Sequence, residues 1–399
     1  MSTGQRIAAW RVYRGMTQEV CAGLAGKSLS WWKKVEGGQR RLEKLADVIA
    51  IARILRVPEL ADLTGVLEFS LGRDQMRPVP VLPGIRAAML RLQPPSGEPV
   101  PLADLQRRYA EARDTFHRHR MFVSEVGRVL PGLIDDATAA YRRADEATRR
   151  AVAGVLSDVY LLACQILRDA GDFPLAMTAI DRCHHYAREA DDPLRMAWAA
   201  WDSSGVLKDL GSPEEGLSHC QEALAGLESL AAATPTDPVL SALGEMCGQA
   251  ALMHGHLSEE GHALGMLDRG ARVYARITPG FRNPTTGYAR EGSDVIGVWV
   301  YTALGKGRTA VRVADTVDIT ATPSRPVQAL WTINVARGYA SRNEDTGTLH
   351  MMRRAEDIAP EIVARSTHVR EMVRDMIRRD RRTVSPDVHQ FARRIGLLS

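Results

Sequence analysis

Hydroxyl groups and positive charges are grouped along one short stretch near the N-terminus. Serine hydroxyls can hydrogen-bond to bases or phosphates, and lysine or arginine side chains can reach guanine acceptors or phosphate oxygens. The residues concerned are Ser28, Ser30, Lys33, Lys34, Arg40 and Arg41. Side chains of these types, placed close together, suit the recognition of a polyanion such as a nucleic acid.

The positive charge of the chain is concentrated in the same region. Residues 1–66 carry eleven lysines and arginines against six acidic residues, a net charge of +5, whereas all 399 residues together carry +4. The rest of the chain therefore sums to −1. A small basic module attached to a nearly neutral body suggests a head that binds a polyanion and a separate domain for sensing or assembly.

Capping residues and glycines divide this basic head into short helices. A first helix ends at Gly15, and Thr17 caps a second helix that ends at Gly26. Ser28 then caps a third helix over residues 29–36. Two short helices joined by a glycine turn make a helix-turn-helix motif.

The order of small, capping and charged residues in the head resembles the Xre-type, or phage-repressor-like, DNA-binding domain over about 60 residues. The matching positions are Arg11, Gly15-Met16-Thr17-Gln18-Glu19, Ala22, Gly26, Ser28, Trp32, Val35-Glu36-Gly37-Gly38 and Leu55-Arg56-Val57-Pro58. Lys27 and Trp32 depart from the family, which usually has an aliphatic residue at each position. The resemblance implies an ion pair between Arg11 and Glu36 that joins the first helix to the end of the third.

In such motifs the N-terminal part of the third helix enters the major groove, while flanking residues contact phosphates and fix the register. Leu29 would contact a thymine methyl group. The residues expected to contact DNA are Gln18, Ser28, Leu29, Ser30, Lys33, Lys34, Arg40 and Arg41. Two alternatives stay open: Lys33 and Lys34 could form a solvated helix face, and Trp31 could pack on the domain surface instead of contacting DNA.

A proline-rich segment separates the head from the rest of the chain. Residues 78–101 contain seven of the twenty prolines, and Ser96 and Gly97 interrupt the segment further. Since proline removes a backbone donor and fixes φ, one continuous helix is excluded, although residues 84–92 could form a short one. We therefore predict a helix-turn-helix domain over 1–68, a linker over 69–101 and a second domain over 102–399.

Beyond Pro101 the apolar periodicity predicts helices throughout, broken by short turns roughly 40 to 50 residues apart. These turns are Ala170-Gly171-Asp172, Leu210-Gly211-Ser212, His254-Gly255-His256, Leu304-Gly305-Lys306 and Arg342-Asn343-Glu344. Small residues follow four of these turns, and the fifth unit carries Ala336, Tyr339, Ala355 and Pro360. The pattern resembles five degenerate tetratricopeptide repeats, which bury their apolar faces by stacking. The predicted fold is all-α, a helix-turn-helix domain plus a tetratricopeptide-like α-solenoid.

The tetratricopeptide arrangement implies which side chains line the concave groove of such a body. Asparagine can hold a peptide backbone, arginine can bind a carboxylate, and tryptophan supplies apolar contact. The predicted effector contacts are Trp198, Trp201, Asp202, Trp299, Asn334 and Arg337. Alternatively, the tryptophans pack between repeats and the polar residues only face solvent.

The remaining motifs give weaker indications of function. His117-Arg118-His119-Arg120 and Cys183-His184-His185 lack a complementary second pair, so no metal site is predicted from them. With no nucleophile elbow, Walker A loop or dinucleotide fingerprint, we expect neither catalytic residues nor a cofactor. Uncharged apolar runs such as Val295 to Leu304 are about half the length that spans a bilayer, and the N-terminus lacks a secretory signal pattern. We expect a cytoplasmic protein that contacts no membrane and is nucleoid-associated when bound to DNA.

Together these features resemble Xre-type transcription regulators of an actinobacterial type that sense peptides through a C-terminal tetratricopeptide-like domain. That resemblance implies double-stranded DNA as a partner, a homodimer formed through the body, and a peptide or small-molecule effector. The alternative is a repeat-based protein-interaction scaffold with the helix-turn-helix as a docking module. An enzyme is disfavoured because no catalytic constellation is visible.

Overall fold

The computed structural model describes residues 3–40, 42, 45–55, 57, 79–93, 98, 100–288, 292–379 and 384–398. The chain divides into two compact units, Met1–Asp74 and Gln75–Ser399. Within the described ranges every regular element is helical, which confirms the predicted all-α fold with a helix-turn-helix head and a body of helical repeats.

The first unit has four described helices: α1 Thr3–Tyr13, α2 Gln18–Leu24, α3 Leu29–Glu36 and α4 Leu45–Leu55. The predicted caps are confirmed, since Thr17 accepts a hydrogen bond from the Val20 amide at 3.2 Å and Ser28 accepts one from Trp31 at 3.1 Å. Gly15 and Gly26 have positive φ angles of 64° and 62°, which explains the glycines before each cap. Among the buried core residues are Ile7, Cys21, Trp32, Ile51 and Leu55.

The second unit contains sixteen further α-helices in its described residues, most of them paired as antiparallel hairpins. In chain order they are α5 Leu82–Leu90, α6 Leu102–Arg118, α7 Phe122–Arg143, α8 Glu146–Asp169, α9 Phe173–Glu189, α10 Pro193–Asp209, α11 Pro213–Ala233, α12 Asp237–His256, α13 Glu260–Tyr274, α14 Gly292–Ala303, α15 Gly307–Ala314, α16 Arg325–Ala340, α17 Asp345–Ile358, α18 Pro360–Arg365, α19 Thr367–Arg379 and α20 Ser385–Arg394. A 3₁₀ turn, Ile319–Ala321, precedes α16.

The first helices of successive hairpins, α6, α8, α10, α12, α14 and α16, contact one another in order along the body. The second helices pack mainly onto the first helices of their own and adjoining hairpins. This arrangement places the first helices in one shared layer, which we call the inner layer, as repeat solenoids do.

Four of the five predicted turns lie where the sequence places them, with Gly171, Gly211, Gly305 and Asn343 in the left-handed region. The third turn lies three residues later than predicted. Helix α12 continues to His256, and Ser258 takes the left-handed conformation with φ 62°. Gly255 instead allows close packing, because a Cβ atom there would lie 3.2 Å from the Cβ of Ala303 on α14.

The end of the body packs back onto its beginning. Helix α16 contacts α6, and α18 contacts α8. His117 Nδ1 lies 3.0 Å from the Ser324 hydroxyl, and Arg325 donates to the carbonyl of Arg118 at 2.7 Å. Residues about 200 positions apart are thus hydrogen-bonded, and the repeat array closes on itself.

The predicted linker contains helix α5, and this helix belongs to the body. Ile85 and Met89 are fully buried in the core of the second unit, and α5 packs against α7. The Arg182 guanidinium also donates to the carbonyl of Met89 at 2.6 Å. The predicted boundaries at residues 68 and 101 stay predictions, but residues 82–90 pack as part of the body and not as a spacer.

One described helix, α8, is long and apolar enough in length and composition to cross a membrane, and 78% of its most apolar window is buried within the body. That burial is typical of a core helix. Counting only uncharged runs overlooked α8 because Asp158 interrupts it, and Asp158 pairs with Arg195 on α10 at 2.8 Å.

Candidate functional site

The three helices of the helix-turn-helix motif are joined through one carboxylate. Glu36 accepts hydrogen bonds from Arg11 Nε at 2.7 Å, from Gln18 Nε2 at 2.6 Å and from Trp32 Nε1 at 2.6 Å. Although burial raises the pKa of Glu36, these hydrogen bonds more than offset it and hold the pKa below its ordinary value. The ion pair between Arg11 and Glu36 that the family resemblance implied is confirmed.

Helix α3 divides into a buried face and an exposed face. Trp32, Val35 and Glu36 are buried, whereas Ser30, Lys33 and Lys34 are exposed. Because positions three and four apart lie on one side of a helix, these last three side chains form a single polar, cationic surface. The geometry can present hydroxyl and ammonium donors together to a groove of a polyanion.

The remaining predicted DNA contacts differ in their availability. Gln18 is engaged by Glu36 through its amide nitrogen, which suits a structural role, and the hydroxyl of Ser28 serves as the cap of α3. Leu29 is half-buried and Arg40 is exposed. Arg41 lies outside the described residues.

The region around Trp31 is more basic than the sequence reading indicated. Lys27 Nζ lies 5.3 Å from the centre of the Trp31 ring, and the Arg40 guanidinium lies 6.0 Å from it. Lys27 also pairs with Asp47 on α4 at 3.2 Å. Lys27 was overlooked as a site residue, since its only sequence signal was its departure from the family pattern.

In the body, two of the predicted effector contacts are buried. Trp198 is 8% exposed and belongs to the core. Asp202 is 1% exposed, pairs with Arg168 at 2.9 Å and accepts a hydrogen bond from Gln165 at 2.7 Å. The tetratricopeptide register predicts that both side chains face the concave groove, but it does not give the depth of each residue. In the structure neither side chain offers an open binding surface.

Asp202 belongs to a polar network that crosses three helices of the inner layer. Arg113 on α6 donates to Gln165 on α8 at 2.6 Å. Arg168 binds both Asp202 and Asp209 on α10, at 2.9 Å each. Burial opposes the charge of Arg168, yet the two carboxylates raise the pKa of its guanidinium. The network fixes the mutual positions of α6, α8 and α10.

The other four predicted contacts are half-buried on the inner layer. The indole nitrogens of Trp201 and Trp299 are buried and have no hydrogen-bond partner within the described residues. On α16, Arg337 Nη1 donates to Asn334 Oδ1 at 2.9 Å. Burial lowers the pKa of Arg337, and within the described part of the chain no carboxylate lies within ion-pair distance of it.

Two histidines that the sequence did not single out lie within electrostatic range of Arg337. They are His256, at the end of α12, and His368, at the start of α19. The His368 side chain is 49% exposed, yet desolvation is the largest cause that lowers its pKa to about 4. The side chain of His368 is therefore accessible from solvent. No spacing signal could have joined these residues, because they come from different hairpins.

Six charged or titratable groups on four helices are linked by electrostatic interactions, and we call them the groove cluster. They are Lys208, Asp209, His256, Arg337, His368 and Glu371. Asp209 is already engaged by Arg168 and Lys208. The positive charge of Arg337 and the two neutral histidines are therefore the groups that an anion could engage.

A cavity of 420 Å³ opens on another part of the inner layer. It is lined by Gln106, Tyr109, Arg150, Ala151, Gly154, Val155, Asp158, Ala190 and Arg195. Its strongest polar groups are occupied, because Arg195 pairs with Asp158 and Asp192. The groove cluster, in contrast, contains an arginine with no carboxylate within ion-pair distance among the described residues.

Comparison with known proteins supports the identity of the head. Residues 3–63 match the helix-turn-helix domain family, so the first unit contains a helix-turn-helix domain. No curated protein matches the chain. A search of solved structures finds the crystal structure of Bacillus thuringiensis PlcR in complex with the peptide PapR7 and DNA. It has 12% identity and a TM-score of 0.31, and the match covers 86% of this chain and 98% of that chain.

Proposed function

We propose that this protein is a sequence-specific DNA-binding transcription regulator whose helical body senses an effector. The observation that carries the DNA-binding part is the exposed Ser30, Lys33 and Lys34 face of α3 within a matched helix-turn-helix domain. The Glu36 network supports this function, because it holds α3 against α1 and α2 with its cationic side outward. The further assignment to the Xre type rests on the resemblance of the motif.

The effector part rests on the groove cluster. A half-buried arginine with no carboxylate within ion-pair distance among the described residues favours binding of an anionic group, and Asn334 accepts a hydrogen bond from the Arg337 guanidinium. Trp201 and Trp299 can supply apolar contact on the same layer. We propose a peptide or small molecule with a carboxylate or phosphate group and an apolar part as the effector.

A homodimer completes the proposal. Two heads related by two-fold symmetry would read the two half-sites of an operator, and half-site spacing is fixed by the turn of DNA. A repeat body that changes curvature on binding its effector could then change the distance between the heads. Such a regulator would act in the cytoplasm.

The DNA-binding part is tested by footprinting with the full chain. Replacing Lys33 and Lys34 with alanine should weaken operator binding and reduce its dependence on salt, because fewer counterions are released. The control variant Arg107→Ala/Arg128→Ala removes two exposed cations from the body and should bind as the wild type does. Equal affinity of all three proteins would show that Lys33 and Lys34 do not form the DNA-reading face. The absence of any protected site would favour the scaffold alternative.

A further inference from the structure

Three potential metal ligands meet at the turn between α12 and α13. His254, Glu259 and His262 each place one ligand atom within 4.8 Å of the others. His254 Nδ1 lies 2.6 Å from Glu259 Oε2, and His262 Nδ1 lies 3.8 Å from the same oxygen. The two imidazole rings are 5.1 Å apart and inclined by 32°.

The backbone holds these ligands in place. The Glu259 amide donates to the His254 carbonyl at 2.9 Å, and the Leu257 amide donates to the Met253 carbonyl at 3.0 Å. Ser258, between them, has the left-handed φ of 62° that reverses the chain. At Gly255, α12 packs so closely on α14 that the turn has a rigid support. Preorganisation of this kind lowers the entropic cost of binding a ligand.

One histidine of the cluster is buried and the other is open to solvent. His254 is 7% exposed, whereas the side chain of His262 is 77% exposed. A cation could thus approach from solvent and be held against the protein by His254. The side chains of His262 and Glu259 are exposed enough to rotate. Ligand atoms about 2 Å from one small cation lie more than about 3 Å apart, so binding would bring the His262 nitrogen nearer to Glu259 and would open the short His254–Glu259 hydrogen bond.

The donor set selects among metals. Two imidazole nitrogens and one carboxylate oxygen suit Zn²⁺, which takes three such protein ligands and a water as the fourth. Mg²⁺ and Ca²⁺ prefer sets made of oxygens. We propose that His254, Glu259 and His262 form a Zn²⁺ site with one coordination position left open.

Metal at this position would join the two helices of one hairpin. The first helix, α12, lies in the inner layer, and α13 is linked to the next hairpin through the ion pair of Glu260 with Lys306. Bound Zn²⁺ would therefore stiffen the middle of the body. Since ligands that bind only the folded state stabilise it, the melting temperature should rise with Zn²⁺ concentration.

The test uses the full chain after treatment with a chelator. Co²⁺ serves as the spectroscopic probe, and Zn²⁺ is titrated by calorimetry. We expect one high-affinity equivalent, visible bands of tetrahedral Co²⁺ that Zn²⁺ displaces, and no effect of Mg²⁺. His262→Ala and Glu259→Gln should each weaken Zn²⁺ binding by at least about tenfold and abolish the bands.

Matched controls separate this site from surface histidines. His185→Ala removes another exposed imidazole, on α9, and should bind Zn²⁺ as the wild type does. Zn²⁺ should raise the melting temperature of the wild type and of His185→Ala but not of His262→Ala. The proposal is overturned if the wild type shows no tetrahedral Co²⁺ bands, or if His262→Ala and Glu259→Gln both bind Zn²⁺ with unchanged affinity.

Discussion

Glu361 accepts a hydrogen bond from the backbone nitrogen of Val123 at 2.9 Å, although 238 positions separate the two residues in the chain. The same carboxylate accepts a bond from the Ser124 amide at 3.2 Å. Helix α7 begins at Phe122, and Met121 before it provides no side-chain cap. Glu361 on α18 therefore caps α7 and joins the end of the repeat array to its beginning.

Removing this distant cap should loosen the closure of the body. Glu361→Ala leaves two helix amides without their partner and removes a negative charge from the positive end of the helix dipole. We expect a loss of about 1–2 kcal/mol, by analogy with N-cap substitutions. Hydrogen exchange should quicken at Val123 and Ser124. Glu111→Ala, which removes an exposed carboxylate paired with Arg107, should leave that exchange unchanged.

We expect the Arg11–Glu36 pair to stabilise the head and not to contact DNA. Glu36→Ala leaves Arg11 uncompensated at a partly buried site, at a cost of roughly 3 kcal/mol. In the full chain carrying Glu36→Ala, the backbone amides of α2 and α3 should then exchange faster than in the wild type. The control variant Glu19→Ala, at an exposed position, should leave this exchange unchanged. Loss of DNA binding with unchanged exchange would instead assign Glu36 to recognition.

The Arg11–Glu36 pair should also make the stability of the head depend on pH. The pKa of Glu36 is lower in the folded head than in the unfolded chain, so the folded state binds fewer protons there. The stabilisation is present above the ordinary carboxyl range near 4.5 and is lost as the pH falls through the folded pKa. Glu36→Gln should be less stable than the wild type near neutral pH, and its head should lose less stability on acidification.

The head could be predicted closely because its signals are local. Thr17, Ser28, Gly15 and Gly26 each act within a few residues of the chain, and their structural roles follow from capping and backbone conformation. In the body, the same local reasoning identified the hairpins. It placed the third turn wrongly, because a serine and not a glycine takes the left-handed conformation there.

Closure and burial could not be predicted from local patterns. Contacts such as Glu361 with Val123 arise from the curvature summed over all repeats, which no single repeat encodes. Likewise, the repeat register predicts Asp202 on the concave side, yet its pairing with Arg168 depends on the relative depth of α8 and α10. His256 and His368 reach Arg337 only through the folded arrangement of three separate helices.

A buried carboxyl group should make the body less stable in alkaline solution. Glu245 on α12 is fully buried and accepts hydrogen bonds from Ser241 at 3.0 Å and Thr286 at 2.9 Å, while its second oxygen has no partner in the described residues. Burial raises its pKa to about 8, so the folded state holds a proton that the unfolded chain releases near 4.5.

Stability should therefore fall as the pH rises from about 4.5 to about 8, by at most about 1.4 kcal/mol per pH unit from this group. Urea unfolding at several pH values, followed through hydrogen exchange of α12, would measure the slope. Glu245→Gln should remove this contribution, so the wild type should lose more stability than the variant over this pH range. Asp169, whose pKa burial raises to about 7, adds a slope of the same sign. His256 and His368, whose pKa values are lowered to about 4, add a slope of the opposite sign below about pH 6.5. An equal dependence of stability on pH in the wild type and in Glu245→Gln would contradict a raised pKa of Glu245.

The last prediction concerns the groove cluster and its coupling to protons. Desolvation, with help from neighbouring cations, lowers the pKa values of His256 and His368 to about 4 although both side chains are exposed, so both are neutral near neutral pH. An anion placed beside them favours their charged forms, while Asp209 and Glu371 also favour them and Lys208 and Arg337 oppose them. Anion binding should therefore take up protons, and effector affinity should increase as the pH falls from neutrality.

We would measure this through tryptophan fluorescence and operator affinity, using fractions of native cell extract. Arg337→Ala should abolish the extract-dependent change in operator affinity, because it removes the one permanent cation of the cluster that lacks a carboxylate partner among the described residues. A double variant, His256→Ala with His368→Ala, should keep weakened binding but lose its pH dependence. Arg342→Ala, which removes an arginine paired with Glu344 just beyond α16, should respond as the wild type does. If Arg337→Ala keeps the full response, the effector binds elsewhere on the body.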